Sequence, residues 1–289
     1  MNKVRTEVLE FLKANKGLHK NREIAQEIGR SYSATKRETL ALKREGIIQL
    51  SENKYVYDIQ ESGTGTRVLV IPDLHTPFMH KDAVTFLKGI YNKYKCNKVV
   101  IIGDEIDMHY SSFHDTDPDG FSARAEMELA VVQLTELARA FPKAKVCIGN
   151  HTAISQRRAF SAGLSNRWIK SVKDVLLSYG VPCEGWDYSD HWVIEGVKYT
   201  HGTARKAKQR MLQDGISIVQ GHYHAESYVW HHVNDVQKLF AMQLGALIED
   251  DAYAFSYGKH FAKSHKNCGV IIDGVPVIEY MDLGSKVVR

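Results

Sequence analysis

Lys98-Val99-Val100-Ile101-Ile102-Gly103-Asp104-Glu105-Ile106-Asp107 is the stretch whose reading decides the fold. An apolar run of the buried-strand type meets a glycine and then a group of carboxylates, so a strand ends where charge begins. The same plan recurs on either side. Arg67-Val68-Leu69-Val70-Ile71 leads into Pro72-Asp73-Leu74-His75, and Lys145-Val146-Cys147-Ile148 leads into Gly149-Asn150-His151. A fourth apolar segment ends in Thr200-His201-Gly202, and a fifth, Ile216 to Val219, runs into Gly221-His222-Tyr223-His224. Between the second and third strands the spacing predicts a helix near Arg124 to Ala140, with Leu129, Val132 and Leu137 among its apolar positions. Two hairpins are expected around Gly196 and Gly274. Short strands alternating with helices make an α/β fold, in which ligands gather outside the carboxyl ends of the strands.

Those five strand ends carry aspartate, histidine and asparagine. These are oxygen and nitrogen donors, and together they exceed what one tetrahedral ion needs. Two ions are therefore expected, with an aspartate bridging them as in two-metal sites about 3.5–4 Å across. Burying so many polar groups without cations would be costly. No serine or cysteine nucleophile is required.

The order Asp73-x-His75, Gly103-Asp104-x-x-Asp107, Gly149-Asn150-His151, His201 and Gly221-His222-x-His224 resembles the calcineurin-like metallophosphoesterase superfamily over about residues 67–282. The resemblance implies a four-layer α/β/β/α sandwich and a phosphoric-ester hydrolase. It also implies that Asp73, His75, Asp104 and His224 hold one metal, while Asp104, Asn150, His201 and His222 hold the other. His151 would then protonate the leaving oxygen, with Asp107 hydrogen-bonded to its imidazole. Two divalent cations are implied, Mn²⁺ foremost, although Fe, Zn, Ni and Mg also accept mixed nitrogen and oxygen ligands. Thr152 stands where the family often has an acidic residue, and Met108-His109 replaces the Asp-Arg-Gly continuation of protein phosphatases. The insert Tyr110 to Arg124 and the late segment Gly245 to Asp250 look more like phage and bacterial phosphoesterases.

Working outward to the amino end, residues 1–60 hold twelve Lys+Arg against eight Asp+Glu. That surplus accounts for the whole net charge of +4. Val4, Val8, Phe11 and Leu12 recur at helical spacing; Asn21 precedes a short helix ended by Gly29, and Ser31 or Ser33 can cap a third helix running to about Glu45 before Gly46. Ile47 to Leu50 and Tyr55 to Ile59 read as two strands around Ser51-Glu52-Asn53-Lys54. Three helices and a hairpin resemble a winged helix-turn-helix, whose third helix enters the major groove. Here that helix offers Lys36, Arg37, Lys43 and Arg44. The expected division is a winged-helix-like domain over 1–60, a linker over 61–66 and a phosphoesterase domain over 67–289.

Substrate class is read from the cations beside the site. Arg205, Lys206, Lys208 and Arg210 follow His201, while Arg157, Arg158 and Arg167 follow His151. Arg157, Arg158, Arg205 and Lys206 are candidate phosphate contacts, and nucleic acid, DNA in particular, is the expected partner. The leading expectation is a nuclease or nicking enzyme whose N-terminal module delivers DNA. The alternatives are a phosphatase or phosphodiesterase for small phosphoesters with a regulatory or dimerising N-terminus, and a DNA-binding regulator with a decayed phosphoesterase domain.

Composition narrows the class. With 289 residues, 44% hydrophobic and 25% charged, the chain is an ordinary globular one. No apolar run reaches the ~18 residues of a membrane span, and the charged start is unlike a signal peptide, so a soluble cytoplasmic protein is expected. Cys96, Cys147, Cys183 and Cys268 form no Cys-x-x-Cys pair and are expected to be buried thiols.

Overall fold

Val8 and Leu12, one helical turn apart, are almost fully buried in one cluster with Ile24 and Leu42 from two further segments. Burying them together requires three helices to meet. The computed structural model describes residues 3–15, 19–44, 48–51, 54–57, 65–113, 118–252 and 263–283. The chain divides into two compact units, Met1–Gly65 with Val193–Gly196, and Thr66–Trp192 with Val197–Arg289. In the smaller unit the helices are α1 (Lys3–Ala14), α2 (Asn21–Glu27) and α3 (Tyr32–Arg44), followed by the antiparallel pair β1 (Ile48–Ser51) and β2 (Lys54–Tyr57). A bidentate Arg30–Glu7 pair at 2.6 and 2.7 Å ties the loop after α2 to α1. Asn21 does not cap α2 but is its first residue, and its Oδ1 accepts a hydrogen bond from Thr39 of α3 at 2.7 Å. Ser31 does cap α3, accepting from the Ala34 N–H at 3.3 Å. Glu45, Gly46, Ile47, Asp58, Ile59 and the stretch 61–64 of the expected linker lie outside the described residues.

The larger unit is built on two sheets. Its first half runs β3 (Arg67–Ile71), α4 (Ala83–Lys93), β4 (Lys98–Ile101), α5 (Ala123–Ala140), β5 (Lys143–Cys147), α6 (Ile154–Ser161), α7 (Val172–Ser178) and β6 (Gly185–Ser189). Then come β7 (His191–Ile194), of which His191 and Trp192 belong to this unit, β8 (Val197–Thr200), α8 (Ala207–Asp214), β9 (Ser217–Gln220), β10 (Tyr228–Val233), β11 (Lys238–Gln243), β12 (Asn267–Ile272) and β13 (Val275–Tyr280). The six-stranded sheet has the order β13-β12-β3-β4-β5-β6, with β3 to β6 parallel and β12 antiparallel to β3. The five-stranded sheet has the order β10-β11-β9-β8-β7, with β8, β9 and β11 parallel.

Val68 to Ile71 are all fully buried, as a strand covered on both faces must be. Leu69, Ile71, Val99 and Ile101 face one way, into a core with Leu87 and Ile90 of α4, Leu134 and Leu137 of α5, and Leu176 of α7. The opposite face meets the second sheet: a Cβ on Gly269 of β12 would lie 2.9 Å from Met242 Sδ of β11, and Cys147 of β5 reaches the Tyr199 carbonyl of β8 at 3.4 Å. Ala207 and Met211 of α8 cover the far face of that sheet against Ile218 and Ala241. The layers are helix, sheet, sheet, helix. All four cysteines are free and buried. Among the described residues no helix is long and apolar enough to cross a membrane.

Candidate metal centre and active site

Every loop singled out in the sequence leaves the carboxyl end of a parallel strand, and these ends lie together along one edge of the two sheets. Close approach there depends on glycine. A Cβ on Gly103 would stand 2.8 Å from His201 Cβ, one on Gly149 would stand 2.7 Å from the Asp104 carboxylate carbon, and one on Gly221 would collide with Asp73 Oδ1. Left-handed backbone is held at His75 (φ 44°), Asp104 (φ 48°) and His222 (φ 73°), and also at Met108 (φ 54°), which follows Asp107. Such conformations cost roughly 1–3 kcal/mol each and persist where the surroundings over-determine them. His75, Asp104 and His222 are predicted ligands.

The donor atoms form two sets that meet at Asp104. On one side the Nε2 atoms of His75 and His224 are 3.2 Å apart, Asp73 Oδ2 lies 3.1 Å from His224 Nε2, and Asp104 Oδ2 is 3.9 Å from His75 Nε2. On the other, His201 Nε2 is 3.1 Å from Asp104 Oδ2, 2.9 Å from Asn150 Oδ1 and 3.2 Å from His222 Nδ1. Ligands ~2.0–2.2 Å from a metal stand about 3.0–3.5 Å from one another; the contacts of 2.9 to 3.2 Å match that spacing, and the 3.9 Å from Asp104 to His75 is somewhat longer. Two imidazole nitrogens facing each other at 3.2 Å also need a cation or a proton between them. The donor set thus fits two divalent ions sharing Asp104.

The surroundings aim these ligands. His75 Nδ1 is 2.5 Å from Asp107 Oδ1, and His201 Nδ1 is 3.2 Å from the Ile102 carbonyl. Each acceptor fixes the hydrogen on Nδ1 and leaves Nε2 as a lone pair directed at the cluster. The N–H groups of His151 and Thr152 donate to Asp104 Oδ1 at 2.8 and 3.3 Å, and the His222 N–H donates to Asp73 Oδ2 at 3.0 Å. Burial favours the neutral forms of Asp73 and Asp104, but the neighbouring histidines outweigh it, so both carboxyls titrate below their ordinary range and Asp104 well below. Burial pushes the His75 and His222 pKa values down. Ionised carboxylates and neutral imidazoles are the protonation states that metals require. For His201 burial is overcome by Asp104 and Asp73, and its pKa rises to about 9.

His151 lies against these donors, close enough to His75 and Asp104 to form a donor group with them, its ring 4.7 Å from that of His75. Its Nδ1 hydrogen-bonds the Asp107 backbone carbonyl at 2.7 Å, with Asp107 Oδ1 at 3.2 Å. A carbonyl can only accept, so Nδ1 carries a hydrogen and Nε2 is the atom open to exchange. Burial opposes protonation of His151, yet Asp104 and Asp107 raise its pKa. The expectation for Asp107 is thereby extended: its carboxylate contacts the imidazole of His151, but its shortest bond is to His75.

A family match decides what this edge belongs to: the model of the calcineurin-like phosphoesterase family matches residues 66–250. The chain is a calcineurin-like phosphoesterase. Members of this family bind a dinuclear divalent metal site. Comparison with curated proteins gives no match. Among solved structures, this phosphoesterase is similar to Yfce, a phosphoesterase from E. coli, at 14% identity and TM-score 0.35, covering 73% of this chain and 91% of that one. It is similar also to Vacuolar Protein Sorting 29 from Cryptosporidium parvum (14%, TM-score 0.36, 75% and 97%). A third similar structure is the nuclease MPE of Pseudomonas putida (13%, TM-score 0.34, 74% and 87%).

Other predicted residues are placed less uniformly. Arg157 donates to the Asn150 carbonyl at 3.2 Å, and Arg158 to the carbonyls of Ser111 (2.9 Å) and Ser112. Arg205 and Lys206 turn instead to Gln213 and Glu226. On α3, Lys36 and Arg37 are exposed, Arg37 pairing with Glu38 at 3.2 Å; the side chains of Lys43 and Arg44 lie outside the described residues. Sequence reasoning missed Glu105. It is fully buried behind Asp104, accepts from Thr152 Oγ1 at 2.8 Å and Tyr188 OH at 3.2 Å, and has its pKa raised to about 7 by burial. Its signal was an acidic residue at a position where an interior strand end allows no water. A further cluster, Asp107, His109 and Glu126, is closed by its own ion pair, His109 Nδ1 standing 3.1 Å from Glu126 Oε2.

Proposed function

We propose that this phosphoesterase hydrolyses phosphodiester bonds of nucleic acid, with DNA brought to the site by the N-terminal helical module. The observation that supports the reading is Asp104, within reach of donors on both sides, with His151 beside it and Arg157 bonded at Asn150. Two divalent ions bound there would supply a strong nucleophile from water and offset charge on the phosphoryl group. Asp73, His75, Asp104 and His224 would hold one ion, and Asp104, Asn150, His201 and His222 the other. The chain's own contribution to bond cleavage is then proton transfer: His151, whose protonated form Asp104 and Asp107 favour against burial, gives its Nε2 proton to the leaving oxygen. Arg157 and Arg158 meet the flanking phosphates, whereas Lys206 is matched by Glu226. The exposed cations of α3 suit a module resembling a winged helix, which raises the local concentration of DNA at a site that reads no sequence itself.

Purified protein loaded with Mn²⁺ is offered supercoiled plasmid, single-stranded DNA, RNA, bis(p-nitrophenyl) phosphate and p-nitrophenyl phosphate, with Asp104→Ala as the blank. Plasmid nicking that drops when Lys36, Arg37, Lys43 and Arg44 are replaced by alanine supports the proposal. Monoester turnover with inert nucleic acid refutes it.

A further inference from the structure

Residues 137 to 173 contain eight lysines and arginines and no aspartate or glutamate. Within that run, every residue from Phe160 to Trp168 is exposed, spanning the end of α6 and the short 3-10 turn Asn166–Trp168. Phe160 is 79% exposed and Trp168 86%. Arg157, Arg158, Arg167 and Lys170 are exposed beside them, and no carboxylate of the described residues pairs with any of the four. This differs from the α8 side of the site, where Lys206 has Glu226 and Arg210 has Asp214 at 3.5 Å.

Large aromatics standing in water beside uncompensated cations mark a binding surface rather than a solvated face. Charge selects the occupant. A second copy of this chain docking on the same patch would set Arg157, Arg158, Arg167 and Lys170 against their own copies, like charge against like. A single-stranded polynucleotide supplies what the patch lacks: phosphates for the arginines and flat base faces for the aromatic rings. A duplex hides its base faces in the stack and offers nothing to Phe160 or Trp168.

The patch is continuous with the site. α6 begins three residues after His151, with the Ile154 N–H on the His151 carbonyl at 3.0 Å and Arg157 on the Asn150 carbonyl at 3.2 Å. At ~1.5 Å per residue α6 is about 12 Å long, or three to four stacked nucleotides at ~3.4 Å each.

We propose that α6 and the Asn166–Trp168 turn form a stacking platform for single-stranded nucleic acid, with bases on Phe160 and Trp168 and phosphates at Arg157, Arg158, Arg167 and Lys170. This names the substrate form for the nuclease reading and rests on it. Binding is measured by fluorescence anisotropy with labelled 20-nucleotide dT and rU strands and a 20-base-pair duplex. EDTA is present so that cleavage plays no part, and the full chain carries Lys36, Arg37, Lys43 and Arg44 all replaced by alanine so that the N-terminal module does not mask the platform. Trp168→Ala and Phe160→Ala each weaken strand binding by ~5- to 150-fold, the range of one base–aromatic stack, and leave duplex binding unchanged. Trp168→Phe binds within about twofold but loses the quenching of indole emission that the strand causes in its parent, since a phenyl ring still stacks. Strand binding that is absent, or equal in Trp168→Ala and its parent, overturns the platform, as does a dimer in sedimentation that Trp168→Ala abolishes while strand binding is unmoved. Strand binding without hydrolysis refutes the nuclease reading alone, and hydrolysis with binding insensitive to Trp168 refutes the platform alone.

Discussion

Gly149→Ala tests the geometry of the site with a single methyl group. Its backbone is one that alanine adopts without strain, so the effect is steric. The added Cβ would lie 2.7 Å from both the Asp104 carboxylate carbon and the Asp104 backbone nitrogen. Ordinary contact is ~3.5 Å, so these atoms must part by roughly 0.8 Å, and the backbone nitrogen cannot rotate away. The ends of β4 and β5 would have to separate. That displacement stretches the bond from the His151 N–H to Asp104 Oδ1, now 2.8 Å, and moves the one carboxylate that both ligand sets share. Overpacking of this kind costs roughly 1–3 kcal/mol, and a reacting group misplaced by ~1 Å loses on the order of 100-fold in rate. The expected result is a melting temperature lower by roughly 2–12 °C, metal content below that of the parent, and diester turnover down by about two orders of magnitude. Gly89→Ala, in the open middle of α4, is the control and should be neutral or slightly stabilising. Parent-like metal content and turnover in Gly149→Ala would refute the shared-ligand geometry.

Three other outcomes follow from the same contacts. His151→Ala should lower turnover by ~10²–10⁴-fold with metal content intact, because its backbone bond to Asp104 survives; loss of metal would make His151 a ligand instead. Asp107→Asn should weaken metal binding by about 10–100-fold as well as slow turnover, because Asp107 Oδ1 contacts His75 at 2.5 Å and His151 at 3.2 Å; a turnover defect with unaltered metal affinity would show that the His75 contact is idle. His201, raised to about 9 by Asp104 and Asp73 against burial, makes a pH prediction with a definite sign. Its pairing stabilises the metal-free fold fully below the unfolded value near 6.5 and is lost as pH rises through about 9. Chelator-stripped protein should therefore melt at lower temperature across that window, while metal affinity rises by up to tenfold per pH unit as the proton to be displaced disappears. A flat affinity profile from pH 6.5 to 9 would sink it.

The strand ends were legible because convergence is dictated by topology: parallel strands that alternate with helices must present their carboxyl ends on one edge, so Asp73, Asp104, Asn150 and His201 had nowhere else to gather. Partner choice was not. Asp107 lies one helical turn's worth of sequence from Asp104 and was matched to His151, but spacing places a carboxylate without orienting it, and the nearer imbalance was the bare Nδ1 of His75. Glu105 escaped notice because its partners Tyr188 and Thr152 come from distant segments that only the fold unites. The two cationic runs looked equivalent in sequence; Glu226, from a separate loop, separates Lys206 from Arg157 and Arg158. β6 went unread because Gly185, Asp187 and Ser189 give an edge strand little apolar signature, and its pairing explains why β5 begins at Lys143 rather than Lys145.

The central claim is that Asp104 joins two metal sites into one catalytic centre, and stoichiometry tests it most directly. Chelator-stripped protein titrated with Mn²⁺, with bound metal and bis(p-nitrophenyl) phosphate turnover measured on the same samples, should bind two ions per chain and gain its full rate only with the second. In Asp104→Ala, affinity at both sites and turnover should collapse together. A single ion at full activity, or two tightly held ions in Asp104→Ala, would contradict the account.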